Sequence, residues 1–498
     1  MKITPFERRI SMNTFMDGLT NETNFGLTEN HAIKHKTTKS AILDMFAMCG
    51  SYRNRTDEDC ILAFKNALDE DISLAMKCLF YLRDIRGGQG ERRFFRVCFR
   101  WLINNKPEVA FRNLKNIPEY GRWDDLIYTT IDTRAQADAL DIIKNQLALD
   151  VQSKTPSLLA KWLPSENASA KKTKRAATII RKYLNMTHRE YRKMLSNLRS
   201  RINIVEKLMS QNRWDEIAFD KIPSRAGLIY KNAFARRDII AKKYESFAKD
   251  TSTTVNADTL NPVDIASKIF NGGSLGSWKS KVSDTDRAML QKYWENQIDY
   301  YRGREENGIA IVDTSGSMSG MPICAAVSMG AYISERGHGP FANHFITFSN
   351  YPELVKFEGV DIVDKFQRCT EANWSMNTDI KAVFDMLLRV AKQENTKPED
   401  IPQRLYVFSD MEFDCCGFGN AETVLEQVER EWNAAGYELP KVIFWNLDAR
   451  SQNIPALGGR FSYVSGFSMS MVETILSGKD GWDLCLEKLM SERYAAVN

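Results

Sequence analysis

Gly308-Ile-Ala-Ile-Val-Asp-Thr-Ser-Gly-Ser317 reads as a buried strand running straight into a loop of oxygen-bearing side chains. The run Gly308–Val312 is apolar without alternation, the pattern of a strand covered on both faces, as in a parallel sheet. Phe345–Phe348, Leu405–Phe408 and Val442–Leu447 are similar short runs. Helical spacing fills the gaps over Ile323–Arg336, Asp379–Lys392 and Glu422–Ala435. Strands alternating with helices predict an α/β domain with a parallel sheet, here over residues 301–498. Ligands of such sheets sit beyond the carboxyl ends of the strands.

Asp313 falls at that end of the first strand, and the loop's alternation aims Asp313, Ser315 and Ser317 toward one point. One carboxylate with two hydroxyls is a hard-oxygen set suited to Mg²⁺, Mn²⁺ or Ca²⁺. Asn377-Thr378-Asp379 precedes a helix and Ser409-Asp410 follows a strand, so both end at the same edge. A lone Asp-x-Ser-x-Ser is a common turn; three such loops in order carry the metal reading.

Upstream, from about Ser40 to Tyr300, helix follows helix. Ala41–Cys49, Asp59–Leu68, Ile72–Leu82, Glu91–Asn104 and Pro107–Leu114 all carry apolar residues three or four apart. Helices in series with short polar joints predict an α-solenoid or related bundle over residues 1–300, without a clean repeat period. Ala168–Lys174 reads as a basic loop, Asn271–Ser277 as a glycine loop, and Thr251–Thr259 as a polar stretch that would begin a linker.

The two parts differ in charge. Residues 1–300 hold 50 Lys and Arg against 36 Asp and Glu; residues 301–498 hold 18 against 28. A basic part suits a polyanion and an acidic part suits a cation. The basic excess concentrates between Lys161 and Asp250, with 22 basic and 9 acidic residues. Its densest part is Lys171, Lys172, Lys174, Arg175, Arg181 and Lys182, with Tyr183 and Tyr191 interleaved, as phosphate contacts plus base stacking require. A solvated helical face is the competing reading. A second basic signature, Arg83-Asp-Ile-Arg86-Gly-Gly-Gln-Gly-Glu-Arg92-Arg93, joins two helices. Its arginines, beside a helix N-terminus, suit a phosphate; a solvated joint is the alternative. In Ile117-Pro-Glu-Tyr120-Gly-Arg122-Trp123, the aromatic residues read as core anchors before they read as base-stacking platforms.

Together the three oxygen-bearing loops resemble the metal-ion-dependent adhesion site of von Willebrand factor A domains. That resemblance implies Asp313, Ser315 and Ser317 as the first loop's ligands, Thr378 as the second's and Asp410 as the third's, with Asp379 capping the helix. Met376-Asn377 depart from the two glycines that many members place there. Helical repeats bearing the arginine–glycine loop and a Tyr-Gly-Arg-Trp segment, followed by such a domain, resemble the TROVE ribonucleoproteins. The layout, with Phe408–Asp414, Trp445–Leu447 and Val464–Phe467, is closer still to an uncharacterised eukaryotic and viral family. The TROVE resemblance implies an α + α/β protein: a HEAT-like solenoid or ring that binds small structured RNA, then a Rossmann-like A domain.

No P-loop, HExxH, GxSxG or kinase set occurs, and the five histidines form no base–nucleophile pattern. A metal held by one carboxylate and hydroxyls is also a poor water activator. The expectation is a noncatalytic RNA-binding subunit whose cation recruits a protein partner through a bridging carboxylate. The alternative is a metal-dependent interaction scaffold without RNA. No apolar run reaches membrane-spanning length, and the N-terminus lacks a secretory signal. Nine cysteines without CxxC spacing, including the adjacent Cys415-Cys416, suit reduced thiols in the cytoplasm.

Overall fold

Strands β3 (Gly308–Asp313), β4 (His344–Phe348), β5 (Leu354–Lys356), β6 (Arg404–Ser409), β7 (Lys441–Asn446) and β8 (Phe461–Ser465) form one sheet, ordered β5-β4-β3-β6-β7-β8. The computed structural model describes residues 24–202, 204–270, 282–348, 351–369, 378–414 and 423–498. The segments read above at Asn271–Ser277, Met376-Asn377 and Cys415-Cys416 lie outside these residues. Neighbours β3–β4, β3–β6, β6–β7 and β7–β8 pair parallel, and β5 pairs antiparallel with β4. The sheet is therefore mixed rather than wholly parallel. Its antiparallel strand is three residues long, with Val355 buried between exposed Leu354 and Lys356. A short edge bearing a lysine is a common way to end a sheet without inviting another strand.

Strand β8 escapes a hydrophobicity pattern because Ser462 and Ser465 interrupt it, yet all five of its residues are buried. The serines are satisfied instead of solvated. Ser465 Oγ donates to the Phe46 carbonyl (2.9 Å) and accepts from Gly50 N (3.0 Å), both from the N-terminal part. A Cβ on Gly50 would lie 2.8 Å from the Ser465 carbonyl oxygen, so the chains meet here only because the side chain is a hydrogen.

The helical part opens with α1 (Ala41–Met48), α2 (Asp57–Glu70), α3 (Ile72–Arg83) and α4 (Arg93–Asn105), close to the bounds read from periodicity. Ser40, Thr56 and Asp71 cap the first three, each side chain accepting from a backbone N–H in the first turn. Helix α5 spans Trp123–Thr130. Helix α6 (Lys171–Tyr183) overturns part of the Ala168–Lys174 loop reading. Its buried face is Ala176, Ala177 and Ile180, and two alanines among six cations leave little apolar periodicity to detect.

Ahead of α1, β1 (Phe25–Leu27) and β2 (Ile33–His35) form a small antiparallel hairpin. This segment lies on the α/β part: His35 and Ile454 exchange backbone hydrogen bonds of 2.9 and 3.0 Å. Among the described residues no helix is long and apolar enough to cross a membrane.

Candidate functional site

The carboxyl ends of β3 and β6 bring Asp313 and Asp410 together. Asp313 is fully buried; its carboxylate accepts from Ser315 N (2.9 Å) and from Ser409 Oγ (2.5 Å). Burial, and next the neighbouring Asp410 carboxylate, push the Asp313 carboxyl well above the usual aspartate range. Ser315 Oγ and Ser317 Oγ stand 2.9 Å apart in the same loop. Asp410 accepts from Glu412 N (3.1 Å) and pairs with Arg450 at 2.5 Å. Arg450, just past β7, also reaches Glu29 at 3.0 Å, and so ties the N-terminal hairpin to this edge.

This oxygen set fits a hard divalent cation. Two carboxylates held in mutual repulsion with two hydroxyls alongside are the donors that Mg²⁺, Mn²⁺ and Ca²⁺ take, and one guanidinium offsets their charge. Among the described residues no three His, Cys, Asp or Glu side chains converge as a metal cage, so hydroxyls would have to complete the shell.

Thr378 is engaged elsewhere. Its hydroxyl donates to Asp414 Oδ1 (2.6 Å) and accepts from Asn30 Nδ2 (2.8 Å). Asn30 Nδ2 also donates to the Glu412 carbonyl, and Thr28 Oγ1 to that of Phe413. The hairpin thus lies against the third loop and against Thr378. Asn30, Glu29, Asp414 and Arg450 are the residues that sequence reasoning missed. Arg450 follows a strand end, a position the rule for parallel sheets singles out; nothing local marks the hairpin.

The arginine–glycine loop is a joint between the two parts. Arg83 is 1% exposed and pairs with Asp125 at 2.6 Å, so its reading as an RNA contact is corrected: it offers no surface to a phosphate. Glu91 occupies the place proposed for the phosphate, accepting from Arg93 N (2.9 Å) and Phe94 N (3.3 Å) at the start of α4. Gln89 Oε1 accepts from Ser468 N (3.2 Å) across the interface. Gly88 is required because a Cβ would lie 1.8 Å from the Tyr81 carbonyl oxygen. Arg93 pairs with Asp57, Arg92 is half-buried beside Arg122, and Arg86 is exposed. Tyr120 is buried, its hydroxyl donating to the Arg493 carbonyl (2.5 Å).

On α6, Lys171, Lys172, Lys174, Arg175 and Lys182 are exposed. Arg181 is not: it is held by Glu166 at 2.8 Å and by the Met186 carbonyl. Tyr191 is buried on the Pro164 carbonyl, and Tyr183 is exposed with its hydroxyl donating to Asp141.

Comparison with known proteins bears on the family. A model described as a domain of unknown function, DUF2828, matches residues 28–128 and 126–304, and another, DUF7788, matches residues 307–493. "Uncharacterized protein L728" of Acanthamoeba polyphaga mimivirus is 30% identical over 501 residues, covering 92% of this chain and 85% of that protein. These matches overturn the resemblance to TROVE proteins and to von Willebrand A domains. Polar loops at the carboxyl edge of a parallel sheet recur wherever such sheets bind ligands, so the motif alone does not separate families. The chain belongs to the family built from a DUF2828 helical part followed by a DUF7788 α/β part.

Proposed function

We propose a noncatalytic binding protein. A divalent cation, Mg²⁺ or else Mn²⁺ or Ca²⁺, held by Asp313, Ser315, Ser317 and Asp410, recruits a protein partner through a bridging carboxylate. Thr378 joins the shell only if its bonds to Asp414 and Asn30 are exchanged. The observation that carries this reading is the buried Asp313 carboxylate beside that of Asp410, a like-charged pair that a cation would neutralise. When bound, the cation would supply an open coordination position for an acidic group.

In a thermal-melt titration, wild-type protein gains stability with millimolar Mg²⁺, by about 2.7 kcal/mol at a hundred times Kd. Asp313→Asn loses that gain, while its metal-free melting temperature stays level or rises because the repulsion with Asp410 is gone. No shift of the wild type with any of the three cations would sink the proposal.

The helical part binds RNA in this reading. Its support is the row of five exposed cations on α6 and the basic excess of residues 1–300. The observation to make is nucleic acid copurifying with the full chain, judged by absorbance ratio before and after nuclease. Its absence, with cation binding intact, leaves a metal-dependent interaction scaffold. A reducing, cytoplasmic setting suits the seven cysteines among the described residues, all of them buried.

A further inference from the structure

We infer a nucleotide-binding cleft between α4, α5 and α6, taking a nucleobase against Tyr128 and Trp101 and a phosphate on Lys172 and Arg175. Its polymer form rests on the RNA reading above. The cleft has a volume of about 510 Å³, within the range of roughly 300–1,000 Å³ typical of small-ligand sites. Val97, Trp101, Ile131 and Ala176 give it an apolar floor, and Tyr128 stands half-buried in its wall. Four cations line it against two carboxylates, Asp57 and Asp132.

The cations are not equivalent. Arg96 is committed to Asp124 and Asp125 at 2.8 and 2.7 Å. Arg100 donates to the carbonyls of Tyr128 (3.4 Å) and Ile131 (3.2 Å) and holds the wall in place. Asp57 is neutralised by Arg93. Lys172 has no carboxylate partner among the described residues; its Nζ stands 5.4 Å from the centre of the Tyr128 ring. Arg175 forks onto Asp132 with bonds of 3.1 and 2.7 Å, an exposed pair of the kind that contributes little in water. The same planar fork matches a phosphate. An aromatic ring with an unneutralised ammonium over it, beside an exchangeable guanidinium, suits a base and a phosphate held together. The source is either a free nucleotide or one residue of a single strand.

The experiment uses the full chain, with fluorescein-labelled oligoadenylate in anisotropy and AMP and inorganic phosphate as competitors and in calorimetry. Oligoadenylate is expected to bind and to be displaced by AMP at concentrations where inorganic phosphate does nothing. Tyr128→Leu should weaken both ligands roughly tenfold, as loss of one stacked base does. Lys172→Gln, at an exposed position where substitution should change folding stability little, should make the salt dependence of oligoadenylate binding shallower by about 0.7. AMP binding without oligoadenylate binding keeps the cleft and overturns the RNA reading. Oligoadenylate binding that neither variant weakens keeps the RNA reading and overturns the cleft. Binding of neither ligand overturns both.

Discussion

Arg83 shows how burial reassigns a charged residue. Two of its nitrogens reach Asp125 Oδ2 at 2.9 and 2.6 Å, and Arg96 takes the other oxygen at 2.7 Å. Removing Arg83 strips two charge-assisted hydrogen bonds from a buried carboxylate and leaves Arg96 alone to compensate its charge. Arg83→Ala is therefore expected to cost about 3–5 kcal/mol in urea unfolding, whereas exposed Arg86→Ala should cost less than about 0.5 kcal/mol. Equal effects of the two would contradict the burial argument. Asp44 gives the pH counterpart. Burial raises its carboxyl to about 6, although Thr37 and Thr38 donate to it. A group that binds its proton more tightly folded than unfolded contributes stability in full below the unfolded pKa, near 4. That contribution is lost as pH rises through the folded pKa. Between pH 4 and about 6 the wild type should lose up to about 3 kcal/mol relative to Asp44→Asn. Parallel stability curves for the two proteins across that window would count against the raised value.

Helix α6 is the element whose role is most open to measurement. Its buried stripe is narrow, and the exposed Lys171, Lys172, Lys174 and Arg175 contribute little to packing. Replacing these four by Gln or Ser should leave stability within about 0.5 kcal/mol. If they contact phosphates, the slope of log affinity against log salt becomes shallower by roughly two to four, at about 0.7 per single-strand contact and 0.9 per duplex contact. The loss should be similar across RNA sequences, because phosphate contacts carry no base identity. An unchanged slope would make α6 a solvated face. Arg181 belongs outside this set, since its ion pair with Glu166 is structural.

At the scale of the whole molecule the two parts are interlocked rather than joined end to end. The hairpin and α1 cover the carboxyl edge and β8, while the last residues of the chain return to the helical part. Arg493 pairs with Asp84, donating from one nitrogen at 2.6 Å. Tyr494 is fully buried, its ring stacked on Tyr120 with centroids 5.6 Å apart, and Asn498 N donates to Asn113 Oδ1 (3.1 Å). Truncation after Glu492 removes a buried aromatic residue and strands the Asp84 carboxylate. It should cost more than about 3 kcal/mol in chemical denaturation. A truncated chain as stable as the full one would show that the tail merely rests on the surface. The interlock also predicts that residues 1–300 and 301–498, made separately, expose the faces that each covers on the other.

What the sequence determined by itself is local: four parallel strands, the helices between them and the first helices upstream. Each carries its own apolar period, and burial on two faces leaves an uninterrupted run that can be read without a partner. Asp313, Ser315 and Ser317 stood out as candidates for the same reason, since they fall at the end of a readable strand and in the loop just after it. The tertiary structure alone decided the rest. Strand β8 is buried by α1, more than four hundred residues away in the chain, so its serines look solvent-facing until their partners are known. Arg83 looks like a phosphate contact until Asp125 claims it, and the helix N-terminus expected to hold the phosphate is taken by Glu91. Thr378 stood in line with the candidate cation ligands, but Asn30 and Asp414 hold its hydroxyl. A charged or hydroxylic side chain has several good partners in any sequence; which one it takes is settled by which elements pack beside it.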